Sequence, residues 1–192
     1  MNVPQCLHRG YPRHRHRLAQ LISVIAIATS AGALASTPSY AASKTYAANK
    51  TVSFLGHYKG TVALLINNGA VSIPTLRGTG SGTMVGPSTV TGKGSASAAA
   101  QCDPFTGTGS IAGKHAKIDL TVVRSTTQGC SSGESGPVTV TFSGTAKATG
   151  GTGATKGAKG SLKFKGTLDL KGTSGSQNGT YSVTLTGNLS VS

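Results

Sequence analysis

Two short motifs contain residue types that can do chemistry. The stretch Gly129-Cys130-Ser131-Ser132-Gly133 has the G-x-S-x-G spacing of a serine nucleophile. That motif works only where a strand turns sharply into a helix, and here it lies in a polar segment with no helical pattern. The glycine-rich segment from Gly150 to Gly160, with Lys156 and Lys159, has the composition of a phosphate-binding loop. Such loops hold phosphate at the start of a helix, and no helix is predicted to follow. We therefore predict no catalytic residues and no cofactor.

Cysteine usage predicts a disulfide. Cys6 lies in the N-terminal leader described below, which leaves Cys102 and Cys130. Two cysteines in an exported chain normally pair. A metal site is the alternative, but His57 and His115 are the remaining histidines and no C-x-x-C spacing occurs. We predict a Cys102–Cys130 disulfide and no metal site.

Six lysines cluster in the C-terminal third of the chain. They are Lys147, Lys156, Lys159, Lys163, Lys165 and Lys171. The cluster could bind a polyanion, or it could simply be a solvated strand face whose lysines discourage edge pairing. Proteins bind single-stranded nucleic acid through positive charges together with exposed aromatic side chains on which the bases stack. Here Phe164 and Tyr181 occupy the apolar phase of their strands, so no specific nucleic-acid binding is expected.

Residues 1–42 have the pattern of a secretory signal peptide. Four arginines precede an apolar stretch from Leu18 to about Ala28. Small residues then offer cleavage after Ala35 or after Ala41 or Ala42. A membrane anchor would need about 20 apolar residues, and polar or small residues interrupt this run by Thr29. We predict a secreted protein.

Residues 43–192 have a length typical of one domain. The whole chain has a net charge of +14, and loss of the four leader arginines would leave a domain near +10. Such a charge favours solubility and attracts polyanions without specifying a fold. Candidate partners are anionic cell-wall polymers and acidic polysaccharides.

Alternating apolar and polar residues predict β-strands with one buried face. The apolar members are Ile118, Leu120 and Val122; Val138, Val140 and Phe142; Leu162, Phe164, Leu168 and Leu170; and Tyr181, Val183, Leu185, Leu189 and Val191. The Asn67-Asn68-Gly69 sequence predicts a hairpin turn, and Ser174–Gly179 is predicted to link the last two strands. Eight to ten strands without helices predict an antiparallel sandwich or barrel.

A repeated glycine favours the barrel. Four predicted strands carry a glycine two residues after a large apolar residue, at Gly56, Gly144, Gly166 and Gly187. Glycine weakens a strand interior, so its repetition on the apolar phase needs a reason. Barrels use such glycines to coil the sheet. We predict a single antiparallel eight-stranded barrel.

The segment Gly150-Gly151-Thr152-Gly153-Ala154-Thr155-Lys156-Gly157-Ala158-Lys159-Gly160 resembles the G-G-T-G-x-F-x-x-A-x-G signature of the allene oxide cyclase and dirigent barrel superfamily. The resemblance covers about the last 60 residues, and Thr155 replaces the usual aromatic. It implies an eight-stranded barrel, often oligomeric, with a central cavity where charged residues steer a reactive intermediate. No position of this chain matches those charged residues.

Two functions follow as hypotheses. The first is a non-enzymatic module that binds a polyanionic envelope component through the lysines. The second is a cyclase-like or dirigent-like barrel that binds an apolar small molecule, in a cavity with a convergent charged pair. An outer-membrane barrel, with apolar residues facing lipid, is a third arrangement of the same alternation.

Overall fold

The computed structural model describes residues 49–192. The predicted signal peptide, its cleavage sites and Cys6 lie outside the described residues. The described part contains ten strands and one short 3-10 helix, Arg124–Thr126. The strands are β1 (Lys50–Asn67), β2 (Ala70–Gly82), β3 (Gly86–Ser97), β4 (Cys102–Asp103), β5 (Phe105–Gly113), β6 (Ala116–Val122), β7 (Gln128–Ser131), β8 (Val138–Gly153), β9 (Lys159–Leu170) and β10 (Gly175–Val191).

Eight of these strands form a closed antiparallel barrel, which confirms the predicted fold class. Each long strand pairs with its neighbours in the chain, and pairing of β1 with β10 completes the ring. The short strands β4 and β7 pair with each other, and β7 also pairs with β8. In the barrel wall, β4 extends the line of β5, and β7 extends the line of β6. Closure leaves the long strands without free sheet edges, which removes a route to aggregation.

The alternation places apolar side chains inside the barrel. Along β9, Leu162 and Phe164 are buried while Lys163 and Lys165 are exposed. The large apolar side chains that are exposed in the described residues are Leu55 and Leu65. This is the opposite of the arrangement in an outer-membrane barrel, whose outer band is apolar. Within residues 49–192, no helix has the length and apolar character to cross a membrane.

Turn chemistry explains where β1 ends. Asn68 and Gly69 have φ values of 47° and 75°, as a two-residue hairpin turn of the primed type requires, and this confirms the predicted hairpin. The last link is shorter than predicted, because β10 begins at Gly175 rather than after Gly179. The long strand β1 supplies partners for this polar stretch, with Ile66 opposite Gly175.

The end of the barrel that holds the β8–β9 turn is tightly packed, and we call it the lower end. Residues 154–158 form this turn, so the glycine-rich segment is partly strand. Thr155 is fully buried there, and its hydroxyl donates to the carbonyl oxygens of Lys117 at 2.6 Å and Thr152 at 2.9 Å. Ala158 is also fully buried. The turn closes the lower end without an aromatic residue at position 155.

Interior glycines make room for aromatic rings. Phe142 lies opposite Gly166, and Phe164 lies opposite Gly144. A Cβ atom at Gly166 would lie 2.7 Å from the Phe142 ring, and one at Gly144 would lie 2.8 Å from the Phe164 ring. The reciprocal pairing therefore fills the barrel axis with rings that side chains at these positions would displace.

Candidate functional site

The interior of the barrel is hollow near its other end, which we call the upper end. This end carries the β1–β2 turn and the loops at 98–101, 132–137 and 171–174. A cavity of about 250 Å³ lies beneath them. Its wall is mainly aliphatic: Val62, Leu64, Val71, Ile73, Leu76, Val138, Val140, Leu168 and Leu170. Such a surface offers dispersion contacts and apolar burial to a ligand.

Aromatic side chains separate the cavity from the packed lower end. Phe105, Phe142 and Phe164 have ring centroids 5.9 to 6.4 Å apart. Phe105 and Phe142 also line the cavity. These spacings fall in the favourable range for aromatic pairs, so the floor of the cavity is a contiguous aromatic cluster.

A second space of about 180 Å³ adjoins the cavity along the β3–β5 wall. Gly92 lies opposite Gly109, and Gly94 lies opposite Gly107. These four inward positions carry no side chains, so this part of the wall is bare backbone. Both spaces are lined by Ile73, Leu76, Phe105, Phe142 and Tyr181.

Tyr181 combines burial with an unpartnered hydroxyl. Its side chain is 5 % exposed, and its Oη has no hydrogen-bond partner among the described residues. Burial raises the pKa of Tyr181 to about 12. Tyr58, which is also buried, differs in that its Oη lies 3.2 Å from Ser88 Oγ. Burial raises the pKa of Tyr58, and the hydrogen bond with Ser88 partly opposes that rise.

The described cavity wall contains one carboxylate and no Lys, Arg or His side chain. The carboxylate belongs to Asp103, whose Oδ2 accepts a hydrogen bond from the backbone N–H of Ala100 at 2.8 Å. The convergent charged pair expected for a reaction-steering barrel is therefore not present in this wall. The arrangement suits binding better than acid–base chemistry.

The predicted disulfide is confirmed, and it joins β4 and β7 beside the cavity, where the flanking residues Asp103, Gly129 and Ser131 line the cavity wall. Cys102 and Cys130 are directly opposite each other in β4 and β7 and form the disulfide. The Ser131 N–H donates to the Gln101 carbonyl oxygen at 2.9 Å, and the Ala98 N–H donates to that of Gly69 at 2.7 Å. These bonds hold the 98–101 loop against both neighbouring walls.

The other chemical motifs stay apart from the cavity or are already engaged. Ser131 lies in β7, where its Oγ donates to the Gly133 carbonyl oxygen at 2.6 Å, and no helix follows it in the described chain. His57 and His115 are exposed, on β1 and in the β5–β6 turn. Among residues 49–192, no group of three or more metal-ligating side chains could hold an ion.

The six lysines divide between one strand face and its two ends. Lys147, Lys159, Lys163 and Lys165 are exposed on the outer face of β8 and β9. Lys156 lies in the turn before β9, and Lys171 follows the end of β9. The four strand lysines are therefore the part of the predicted cluster that the barrel brings together.

Sequence reasoning missed the glycine wall and the special environment of Tyr181. The signal for the wall was present as two Gly-x-Gly repeats, at 92–94 on β3 and at 107–109 on β5. On an alternating strand, such a repeat removes two successive side chains from one face. The environment of Tyr181 had no comparable signal, because its hydroxyl lies against Gly78 of another strand.

No family model, curated protein or solved structure matches this chain. The resemblance to the allene oxide cyclase and dirigent superfamily therefore stays a prediction. The barrel is consistent with that superfamily but does not identify it, because one fold can carry unrelated functions.

Proposed function

We propose that this protein is a secreted, non-enzymatic β-barrel that binds an uncharged apolar small molecule in the upper cavity. The observation that carries the proposal is the aliphatic cavity itself, floored by aromatic rings and bounded on one side by β4 and β7, which the disulfide links. The leader pattern and the disulfide support secretion, because disulfides persist in oxidising compartments. The sequence resemblance supports a hollow barrel.

The wall favours an uncharged ligand. Burying a charge without a partner is strongly unfavourable. The described wall has no cation to pair with an anionic ligand, and its one carboxylate, that of Asp103, already accepts the Ala100 N–H. Each methylene group that a ligand buries should contribute about 0.8 kcal/mol. Affinity should therefore rise with chain length until the ligand fills the cavity.

The proposal is tested with N-phenyl-1-naphthylamine, a neutral fluorescent dye, and with primary alcohols of increasing chain length as competitors. We expect the dye to bind with enhanced fluorescence and the longer alcohols to displace it better, up to a limiting length. Failure of both dye and alcohols to bind the folded protein would overturn the proposal.

A pair of matched variants locates the site. Ala96 lines the cavity, whereas Ala112 on β5 lies outside it. Ala96→Leu fills cavity volume, so dye binding should weaken about 10- to 50-fold, the value of two to three lost methylene contacts. Ala112→Leu should leave binding unchanged. Equal effects of the two variants would place the dye elsewhere.

A further inference from the structure

Four exposed lysines form a continuous strip on the outside of the barrel. Lys159, Lys163 and Lys165 lie on β9, and Lys147 lies on the adjoining part of β8, opposite Ser161. Alternate residues on a strand are about 7 Å apart, so Lys163 and Lys165 present closely spaced charges. We call these four lysines the basic face.

The positive surface extends across β10 to β1. Lys165 lies opposite Thr184, which in turn lies opposite His57. His57 Nδ1 and Thr184 Oγ1 are 3.0 Å apart. Lys59 follows on the same outer phase of β1 and is exposed. The intervening outer positions of β10 are Ser, Thr or Asn, so no negative charge interrupts the surface there.

No carboxylate of residues 49–192 forms a salt bridge with a lysine of the basic face, although Asp169 lies on the same outer phase of β9, four residues beyond Lys165. Asp119 Oδ1 lies 2.8 Å from Lys117 Nζ, and this ion pair is the only salt bridge among the described residues. Asp103 accepts the Ala100 N–H, and Asp169 accepts the Thr139 hydroxyl at 2.7 Å near the upper end of β9. Glu134 lies in the 132–137 loop. The basic face therefore keeps its charge available for an external anion.

Hydroxyl groups surround the lysines. Two shallow hollows adjoin Lys163 and Lys165 on the outer surface. Their polar lining includes Thr126, Thr141, Ser143, Thr145, Thr167, Ser182, Thr184 and Thr186. Hydroxyls can donate to phosphate oxygens and can also bond to the hydroxyls of a sugar or polyol.

No aromatic residue of the described chain lies on the outer phase of the strands that form this surface, although Phe142, on the inner phase, contributes to the lining of one hollow. The aromatic residues of the described chain are Phe54, Tyr58, Phe105, Phe142, Phe164 and Tyr181, all buried or partly buried on the inner phase. Single-stranded nucleic acid binds through stacking on aromatic side chains as well as through charge. A flexible polymer with anionic groups and no bases fits the surface better.

We propose that the basic face binds a linear polyanion whose backbone carries phosphate groups separated by polyol or sugar units. Lys147, Lys159, Lys163 and Lys165 contact the phosphates, and the neighbouring Ser and Thr hydroxyls bond to the units between them. This interaction surface lies outside the barrel, and it is independent of the proposed ligand in the upper cavity.

The test compares two triple variants of equal charge. The first neutralises the basic face with Lys147→Gln, Lys163→Gln and Lys165→Gln. The control neutralises three exposed positions away from that face, with Arg77→Gln, Lys93→Gln and Lys114→Gln. The probe is linear poly(glycerol phosphate), with neutral dextran and a single-stranded thymidine oligomer as comparators.

We expect the wild type and the control to bind the probe in a salt-sensitive way, and neutral dextran not to bind. The affinity for the probe should fall as salt rises from about 50 to 200 mM. For a probe that behaves like a single-stranded polyanion, the loss of three phosphate contacts should make this fall smaller by a factor of about 20. Only the basic-face variant should show this change. Urea unfolding should be cooperative in all three proteins, which verifies that each is folded.

Three results would overturn the proposal. Equal losses in the two variants would show that net charge alone attracts the probe. Absence of binding by the wild type at about 50 mM salt would exclude the interaction. Tighter binding of the thymidine oligomer than of the probe would assign the face to nucleic acid instead.

Discussion

Tyr58 and Tyr181 show how one hydrogen bond changes the role of a buried hydroxyl. Both side chains are at most 5 % exposed and point into the barrel. Tyr58 has Ser88 as a partner, whereas the hydroxyl of Tyr181 has none in the described residues. An unpaired buried polar group destabilises a fold by about 1–3 kcal/mol. The two residues therefore form a natural comparison.

Phenylalanine substitutions at these two positions should have different effects on stability. Tyr58→Phe removes a paired hydroxyl and should lower the free energy of unfolding by about 1 kcal/mol. Tyr181→Phe removes an unpaired one and should leave stability unchanged or raise it by up to about 1 kcal/mol. Urea unfolding at neutral pH measures both. A larger loss for Tyr181→Phe than for Tyr58→Phe would contradict the unpaired assignment.

Alkaline pH should destabilise the barrel through Tyr181. The pKa of Tyr181 is raised to about 12 in the folded state, against about 10 in an unfolded chain. Below pH 10 both states keep the proton and this group adds no pH dependence. Between about pH 10 and 12 only the unfolded state loses it, so stability should fall by up to about 1.4 kcal/mol per pH unit.

Comparison with Tyr181→Phe isolates this contribution. The variant should lose less stability than the wild type between pH values of about 9 and 11, as measured by urea unfolding. Parallel decreases in the two proteins would mean that other groups account for the alkaline effect.

At the scale of elements, the fit between strands depends on glycines that face large residues. A Cβ atom at Gly166 would lie 2.7 Å from the Phe142 ring, and it would also contact the Ser182 carbonyl oxygen closely. The backbone oxygen cannot move without disturbing the β9–β10 pairing. Glycine is therefore required at this position by the approach of its neighbours.

Gly166→Ala should lower the free energy of unfolding by about 1–3 kcal/mol, because the new methyl group overpacks the interior. Gly150→Ala on β8 is the control, since a Cβ atom there would meet nothing within 4 Å. It should change stability by no more than about 0.5 to 1 kcal/mol. Thermal or urea unfolding distinguishes them, and equal effects would refute the packing argument.

At the scale of the whole molecule, the barrel has a packed lower end and a hollow upper end, and the second space along the β3–β5 wall reaches Ile111 and Leu185 of the main core cluster. Fourteen buried residues form the main core cluster, and four form the smaller cluster around the cavity. The disulfide joins the walls where apolar packing is thinner. It stabilises the fold chiefly by restricting the unfolded chain.

Removal of the disulfide should lower the free energy of unfolding by about 3–4 kcal/mol, given the separation of 28 residues between Cys102 and Cys130. Unfolding of the wild type with and without reductant measures this loss. The double variant Cys102→Ser with Cys130→Ser serves as the control and should not respond to reductant. An unchanged wild type after complete reduction would contradict the prediction.

The fold was largely predictable because its main signals are local. Alternation in β8, β9 and β10 identifies strands and their buried faces, and Asn68-Gly69 identifies a turn, without knowledge of distant contacts. The beginning of β10 was less predictable, because Gly175 and its neighbours become a strand only by pairing with the end of β1.

The sequence by itself determined the β-structure, the inward apolar phase, the disulfide pair and the exposure of the lysines. Only the tertiary structure decided that the upper interior is hollow, that four of six lysines share a face, and that the hydroxyl of Tyr181 lacks a partner. The physical reason is that strand character follows from neighbouring residues, whereas interior volume and side-chain pairing depend on which strands closure of the barrel brings together.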